Sequence, residues 1–272
     1  MSKITPSTIV IRGAGDLATG VALRLYRAGF RRLIMLEIAH PLAVRRTVAF
    51  SEAVSQGRMT VEGVTAIYHK SPGSVSDIWG TGAIPILSDP AAETLSELRP
   101  EVLIDAIIAK RNLGTNIIQA PLVIGLGPGF TAGEDVHVVV ETKRGHYLGR
   151  VIETGSAAAN TGVPGNVGGY TIERVYWAEK QGIFSTLLNI GDMISAGATI
   201  GMVNDVPVIA AISGVVRGLL RDGTPVTKKT KLADVDPRGT IAYCGEVSDK
   251  ALSVGGGVLE AISAHLFSRG YV

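Results

Sequence analysis

The chain has 272 residues, and its 46% apolar fraction, 5% aromatic content and 34 glycines are typical of folded α/β proteins with many tight turns. Its 26 basic and 24 acidic residues leave a net charge of only +2 without a long basic run, which argues against a nucleic-acid partner. A single cysteine, Cys244, excludes an internal disulfide and a cysteine-cluster zinc site.

The same features bear on the compartment. A lone cysteine fits a reducing environment. The N-terminal sequence MSKITPST lacks a signal-peptide core, and no stretch resembles the roughly 20 apolar residues of a membrane helix. We therefore expect a cytoplasmic protein without a membrane partner.

The first third of the chain alternates between strand and helix patterns. TIVIR at 8–12 predicts a strand, apolar residues from Leu17 to Tyr26 recur at helical spacing, and LIMLEI predicts a second strand. The alternation continues with a helix over about 41–56, a strand at 84–87, a helix at 91–98 and a strand at 102–108. Such alternation predicts a parallel sheet covered on both faces.

After about residue 134 the pattern becomes β-rich. DVHVVVETKRGHYLGRVI predicts a hairpin, and residues 191–235 resemble a biotinyl or lipoyl-type module. Val203, Asn204 and Asp205 stand where such carriers place the modified lysine, so we do not expect carrier chemistry. The final segment predicts a helix opened by glycines.

These patterns define the predicted fold class. It is α/β, with a Rossmann-like parallel sheet in a dinucleotide-binding domain at 1–134. A β-rich domain containing the biotinyl/lipoyl-like (barrel-sandwich) module follows at 135–250. The C-terminal helix, 251–272, is expected to pack on either domain.

A glycine turn between the first strand and helix is the principal candidate site. GAGDLA places Gly13 and Gly15 at the first two positions of the GxGxxG fingerprint and Ala18 at the third, where alanine is permitted. Gly13 permits the tight turn, and Gly15 lets a pyrophosphate approach the backbone amides and the positive end of the helix dipole. Asp16 and Leu17 complete the predicted cofactor-binding segment.

Two acidic residues accompany this turn. Glu37, which ends the second strand, can accept hydrogen bonds from ribose hydroxyls and favours NAD-like over NADP-like ligands, a preference that Arg45 and Arg46 could soften. Asp16 can cap the helix, or it can meet a ribose, a metal-bridged phosphate or an amine. The alternative for the whole motif is a connecting turn with a solvated Glu37.

A second glycine loop is predicted at the same edge of the sheet. Gly127 and Gly129 follow the apolar strand LVIGL, so the loop can close the same cleft. Asp105 and the segment 110–112, Lys-Arg-Asn, also follow a strand, and the two cations can bind phosphate or a carboxylate. An ordinary solvated turn is the alternative.

The remaining candidates are weaker. Glu141, Lys143, Arg144 and His146 could support acid/base chemistry, or they could form a solvated hairpin tip. The five histidines show no metal-ligand spacing, and we expect no metal. Cys244 could accept sulfur or selenium, although a thiol inside TIAYCGE fits a packed side chain better.

Several longer runs resemble a known family, the YqeB-type accessory proteins of selenium-dependent molybdenum hydroxylases. The runs, in chain order, are RGAGDLATG, VIGLGPGFTAG, VHVVVETKRGHYLGRVI, NTGVPG, DVDPRG and SDKALSVGGGVLEA. The resemblance implies a role in maturing or supplying a molybdenum enzyme, related in purpose to XdhC-type proteins. Its implied partners are the hydroxylase apoenzyme or other maturation factors.

Three functions follow from these observations. The first is an accessory protein whose turn binds a dinucleotide, either molybdopterin cytosine dinucleotide or NAD. The second is an NAD-dependent oxidoreductase, although no TyrxxxLys pair lies near the predicted sheet. The third is a nucleotide-sensing interaction protein. Catalytic residues are not identified, and homo-oligomerisation stays open.

Overall fold

The computed structural model describes residues 7–270, which form two compact units. Unit 1 contains the described residues up to Pro41, residues Ala49–Asn160, and the described residues from Val247 onward. Unit 2 contains Leu42–Val48 and Thr161–Glu246. Residues 135–160 and the C-terminal helix, for which the sequence analysis drew other boundaries, therefore lie in unit 1.

The helices and strands alternate through unit 1, whereas strands dominate unit 2. The helices are α1 (Asp16–Arg27), α2 (Ala53–Gln56), α3 (Val75–Gly80), α4 (Leu95–Leu98), α5 (Ala242–Gly245) and α6 (Asp249–Ser268). The strands of unit 1 are β1 (Ile9–Arg12), β2 (Leu33–Glu37), β3 (Arg58–Val61), β4 (Val64–His69), β5 (Ile84–Ser88), β6 (Val102–Asp105), β7 (Leu122–Leu126), β8 (Thr131–Ala132), β9 (Val138–Val140), β10 (Val151–Ile152) and β11 (Gly155–Ser156). Those of unit 2 are β12 (Val175–Trp177), β13 (Gly182–Ser185), β14 (Met193–Ile194), β15 (Thr199–Val203), β16 (Val206–Ile209), β17 (Gly214–Leu219), β18 (Thr224–Val226) and β19 (Lys231–Asp236).

A nine-stranded sheet forms the centre of unit 1. Its strand order is β10-β9-β7-β6-β1-β2-β5-β4-β3. The strands from β9 to β4 pair in parallel, while β10 and β3 pair antiparallel to their neighbours at the two edges. The inner strands β1, β6 and β7 are buried along their whole length, as expected for continuous apolar strands covered on both faces.

This topology shows that the predicted fold class is wrong. The sheet is mixed, whereas a Rossmann-like parallel sheet was predicted within 1–134. One antiparallel edge comes from the β3–β4 hairpin, whose turn residues Glu62 and Gly63 both have positive φ. That geometry matches the twist of a two-residue hairpin. The other edge comes from β9 and β10, which the sequence analysis placed in the second domain.

The predicted helix over 41–56 is also wrong. Only Ala53–Gln56 is α-helical, preceded by two short 3-10 turns. The segment Leu42–Val48 leaves unit 1 and joins unit 2, where Val44 lies in the hydrophobic core. The Val44 carbonyl accepts a hydrogen bond from the Leu219 amide at 2.7 Å. Tertiary packing thus decides the conformation of this segment.

Two antiparallel sheets form unit 2. Their strand orders are β12-β19-β17-β14 and β16-β15-β13-β18. Strands β12 and β13 precede residue 191, yet they are integral to the two sheets, so residues 191–235 do not form the self-contained biotinyl/lipoyl-like module that was predicted. Phe184 and Val216 are fully buried in the core of this unit.

Helix α6 packs along α1 through small residues. A Cβ at Gly20 would lie 2.6 Å from the Cβ of Ala251, and one at Gly255 would lie 3.0 Å from the Cβ of Arg24. The Arg24 guanidinium also donates to the Leu252 carbonyl at 3.2 Å. Because these contacts advance together along both helices, the helices run in the same direction and their N-termini lie at the same end.

The segment that ends with α6 is apolar, contrary to the sequence-based expectation. Residues Ala242–Ser268 are long and apolar enough to cross a membrane by length and composition alone. This is weak support for a membrane span, because a core helix passes the same test. Val254, Val258 and Ile262 of α6 are fully buried within unit 1, as in a core helix.

Candidate functional site

The glycine turn begins directly after β1, at the carboxyl edge of the parallel strands. Gly13 has φ +97°, and its amide donates to the Leu36 carbonyl at 2.6 Å. A Cβ at Gly13 would lie 2.9 Å from the Ala106 carbonyl oxygen. Both the positive φ and this close approach require glycine. Gly13 therefore fixes the turn against the loop that follows β6.

Gly15 differs from Gly13 because it faces open space. It precedes α1 with φ −66°, and a Cβ there would meet no atom within 4 Å. The helix has no side-chain cap, so Asp16 does not act as the cap considered in the sequence analysis. The first amides of α1 have no acceptor inside the helix. Leu17 and Ala18 are buried, so they could contribute only backbone groups to a ligand.

Glu37 is bonded to the turn itself. Its carboxylate accepts the Ala14 amide at 2.8 Å and the Ile38 amide at 2.8 Å. Burial raises the pKa of Glu37, while the two amide hydrogen bonds act in the opposite direction. Glu37 is therefore not a solvated side chain beside a connecting turn, which was the alternative considered from the sequence. A ribose hydroxyl that donated to the Glu37 carboxylate would share its oxygens with the Ala14 and Ile38 amides.

The second glycine loop lies against the loop that follows β6. A Cβ at Gly129 would approach the Arg111 backbone to 2.7 Å, and a Cβ at Gly127 would overlap Thr142. Since Ala106 contacts Gly13, the chain around 106–111 lies beside both glycine segments. The structure thus brings the two predicted glycine segments to one edge of the sheet.

Asp105 has a structural role in this arrangement. It is 2% exposed and accepts a hydrogen bond from the Thr115 hydroxyl at 2.6 Å and another from the Ile107 amide at 3.1 Å. The buried Arg12 guanidinium lies 3.5 Å from the same carboxylate and also bonds to Thr115. Because these partners occupy it, Asp105 holds the loop after β6 in place and does not face a ligand.

Two lysines reach this edge of the sheet from different segments. Lys250 is the second residue of α6, and Lys110 lies in the loop after β6. Neither makes an ion pair or hydrogen bond with another described residue. Burial, followed by the charge of Lys110, lowers the pKa of Lys250 to about 8. The sequence analysis named Lys110 but missed Lys250, although SDK at a helix start was a usable signal.

The acid/base cluster proposed for the hairpin does not assemble. The Glu141 carboxylate accepts the amides of Lys143 and Ala158, each at 2.7 Å, and is 5% exposed. Arg144 pairs with Asp249 through two hydrogen bonds, of 2.5 and 2.8 Å. His146 is exposed and contacts the edge of the Tyr147 ring. Glu141 therefore organises the hairpin backbone and is not placed as a base.

Among residues 7–270, no group of three His, Cys, Asp or Glu side chains could hold a metal ion. His137 accepts the Val123 amide at 2.9 Å, and His265 lies 3.0 Å from Glu101. These two histidines therefore have structural partners.

Cys244 is packed inside unit 2. It is 5% exposed, and its Sγ lies 3.8 Å from the Val216 carbonyl oxygen. Burial raises the pKa of its thiol, against the opposing charges of Arg45 and Arg217. These observations favour the packed alternative over a sulfur- or selenium-accepting nucleophile.

We expect Cys244 to react with a thiol reagent only when unit 2 unfolds, since burial in the folded protein blocks access and raises the pKa of the thiol. Ellman's reagent with and without denaturant measures this directly. Labelling of the native protein as fast as that of the unfolded chain would restore the nucleophile hypothesis.

Comparisons with known proteins identify a relative. No family model matches the chain. The chain is 52% identical over 254 residues to the uncharacterized protein YqeB of Escherichia coli strain K12. The match covers 93% of this chain and 47% of the relative, so the chain spans about half the length of that protein. This match confirms the resemblance to YqeB-type proteins that the sequence runs indicated, and it says nothing about a role in molybdenum enzymes.

Solved structures overlap the chain only loosely. A succinylglutamate desuccinylase/aspartoacylase from Rhodobacter sphaeroides is 15% identical, with a TM-score of 0.27 and 85% of each chain covered. An aspartoacylase family protein from Mesorhizobium loti is 12% identical, with a TM-score of 0.28 and coverage of 85% of this chain and 84% of the other. Scores this low do not transfer an activity to this chain.

Proposed function

The chain belongs to the YqeB-type family, and we propose that it is an accessory protein of a molybdenum hydroxylase that binds a dinucleotide through Gly13, Gly15 and the start of α1. The observation that carries this proposal is the open space at Gly15 beside an uncapped helix N-terminus. Unpaired amides and the helix dipole favour a bound phosphate. The partner would be the hydroxylase apoenzyme or another maturation factor.

The surroundings of the turn fit an anionic ligand. Lys110 and Lys250 supply positive charge without an ion-pairing partner among the described residues, and Gly127 and Gly129 bring a second loop to the same edge. Asp16 and Glu37 are the acidic groups beside the turn, and Glu37 is already held by two amides. The carboxylates of Asp16 and Glu141 also act on Lys250 and favour its charged form. The pyrophosphate would therefore lie on the Gly15 side of the turn.

Two dinucleotides are compatible with this arrangement. We favour molybdopterin cytosine dinucleotide because the family resemblance points to molybdenum hydroxylases. Its pterin and cytidine halves are joined by a pyrophosphate, the same linkage that joins the two halves of NAD. In either case the chain would supply amides and lysines that orient the phosphates, while Glu37 would lie within the turn near a ribose.

Mass spectrometry of the ligand released from freshly purified, denatured protein tests this proposal. A pterin dinucleotide would support it. NAD would instead favour an oxidoreductase or a nucleotide sensor acting in the cytoplasm. No released ligand, together with no thermal shift on adding either compound, would contradict dinucleotide binding.

The variant Gly15→Val is expected to lose the dinucleotide and keep its fold. The backbone φ of −66° at Gly15 is allowed for valine, and no atom would clash with the added Cβ. The valine side chain would, however, occupy the space proposed for the pyrophosphate. We expect affinity to fall by at least about tenfold, or about 1.4 kcal/mol. Isothermal titration with the ligand identified above measures the change.

Gly80→Val is the matched control, since Gly80 also has open space, has no positive φ and lies at the end of α3. Equal binding by wild type and Gly15→Val, with both folded by circular dichroism, would exclude this turn as the binding site.

A further inference from the structure

We propose that one face of a sheet in unit 2 is a self-association surface, on which a second copy of this chain packs. The surface belongs to the sheet β16-β15-β13-β18 and is called the outer sheet face. It is formed by the exposed side chains of Ile183, Ser185, Met202, Pro207, Ile209 and Pro225. All of them belong to unit 2, so the inference does not rest on the proposed function.

Strand alternation separates the outer sheet face from the core. Phe184 is fully buried in the core of unit 2, whereas the preceding Ile183 is 47% exposed. Ser185 pairs with Met202, and Met202 pairs with Pro207, so these three side chains form a row across the sheet. Met202 lies on an inner strand, in the middle of this row and near the centre of the face.

Leu187 extends the face beyond the end of β13. The alternation continues after Ser185, because Leu188 packs against the core while Leu187 is 100% exposed. Four strands about 4.8 Å apart and six residues of about 3.3 Å each give the face a footprint of roughly 20 Å by 20 Å. Single exposed apolar side chains are ordinary on a protein surface, but a contiguous apolar patch of this size marks an interaction site.

The four strands of this sheet carry no charge. Their sequences, GIFS, TIGMV, VPVI and TPV, all lie in the described part of the chain and contain no acidic or basic residue. Two copies related by a twofold axis can therefore bury this face against itself without burying an unpaired charge. A strongly charged partner would find no opposite charge on the strands, so the composition favours a second copy.

The charged residues around the face carry both signs. Lys180 and Asp205 pair at 3.1 Å at one end of the sheet, Arg221 and Asp222 precede β18 at the other end, and the lysines at 228–229 follow β18. An apolar centre with a charged rim is the usual anatomy of a protein interface. Because the rim has more cations than anions, apolar burial and not ion pairing must hold the copies together.

The edges of the same sheet resist an added strand. Pro207 lies on β16 and Pro225 on β18, which are the two edge strands. Proline has no amide hydrogen to donate, and prolines on edge strands protect a sheet against edge-to-edge pairing. A partner of this sheet must therefore cover its face instead of extending it.

The area of the face suits a reversible dimer. A standard interface buries about 800 Å² of accessible surface per partner. The footprint of the outer sheet face is about 400 Å², and the side chains that stand above it, together with the rim, increase the accessible surface towards that value. We therefore expect a dimer that dissociates in the micromolar range.

Sedimentation velocity of the purified chain between about 1 and 100 µM tests the proposal. Wild type should show a monomer–dimer equilibrium, and Met202→Glu should weaken it at least about tenfold, because two carboxylates would meet near the twofold axis. Met193→Glu is the matched control, since Met193 is 60% exposed on β14 of the other sheet. A monomeric wild type would leave the face to a different partner and overturn the proposal, as would equal weakening by both glutamate variants.

Mixing two charge variants identifies the occupant as a second copy. Met202→Glu and Met202→Lys should each be mainly monomeric, and an equimolar mixture should recover dimers because opposite charges then meet across the axis. Absence of recovery, with both variants folded by circular dichroism, would show that the face does not meet its own counterpart and would overturn the proposal.

Leu187→Asp repeats the test outside the strands. Its side chain is fully exposed, so the substitution should leave the unfolding curve unchanged and still weaken the dimer at least about tenfold. This variant decides the proposal if the Met202 variants do not fold, and undiminished association in Leu187→Asp would then contradict it. The wild-type dimer should also persist in about 0.5 M salt, where an association held by ion pairs would dissociate.

Discussion

Replacing Gly257 with alanine is expected to destabilise unit 1 by about 3 kcal/mol, the upper end of overpacking effects in protein cores. Gly257 lies in the middle of α6, where a Cβ would overlap the Gly149 carbonyl oxygen and lie 2.9 Å from Val140. Both neighbours belong to the chain that forms β9 and the hairpin after it, so neither can move without disturbing the sheet.

The adjacent Gly256 provides the matched control. A Cβ there would meet nothing within 4 Å, so Gly256→Ala should stabilise the helix by up to about 1 kcal/mol through helix propensity alone. Urea unfolding followed by the fluorescence of Trp79, with Trp177 changed to Phe in every variant, reports on unit 1. Equal stability of the two alanine variants would show that α6 does not approach Gly149 as described.

Replacing Asp234 with asparagine is expected to destabilise unit 2 by about 3–5 kcal/mol, the usual effect of breaking a buried ion pair. The Asp234 carboxylate is 3% exposed and lies 2.8 Å from Arg174 and 3.2 Å from Arg217. Both arginine side chains are less than 10% exposed, so removing the carboxylate would leave buried cations with reduced compensation.

Asp205→Asn is the control for this variant. Asp205 pairs with Lys180 at 3.1 Å, but its side chain is 88% exposed, and loss of an exposed pair should change stability by less than about 1 kcal/mol. Urea unfolding followed by Trp177 fluorescence, with Trp79 changed to Phe, measures both variants. Similar stability of Asp234→Asn and Asp205→Asn would contradict the buried network.

The same carboxylate gives unit 2 a defined acid sensitivity. Burial alone would raise the pKa of Asp234, but Lys231, Arg217 and Arg174 together lower it to about 2. Because the folded-state pKa lies below the unfolded value of about 3.9, its stabilisation is present above pH 4 and is lost as the pH falls towards 2. Unfolding curves between pH 2 and 6 should show this loss in wild type and less of it in Asp234→Asn.

The glycine turn shows what local pattern can predict. A strand, a tight turn and a helix lie at β1, Gly13–Gly15 and α1, as the apolar spacing and the glycines indicated. The strands at the edges of the sheet around that turn were not predicted from the sequence pattern. The β3–β4 hairpin carried a detectable signal, a Glu62-Gly63 turn between β-rich runs, but it was assigned no strands.

The candidate site was only partly predictable. Gly127 and Gly129 were placed at the correct edge because they follow a buried strand, and the carboxyl ends of parallel strands meet at one edge. Lys250 could not be joined to them, because it is far away in sequence and reaches the site through the packing of Gly20 against Ala251. The roles of Asp105 and Glu141 also depended on partners distant in sequence.

The sequence by itself determined the local elements that depend on spacing within a few residues: the turn at Gly13 and Gly15, the buried inner strands and the YqeB-type family. The tertiary structure alone decided the mixed sheet, the transfer of Leu42–Val48 to unit 2 and the packing of α6 against α1. The reason is physical, since strand neighbours and close helix contacts depend on which distant surfaces can bury each other, and local propensity does not encode that choice.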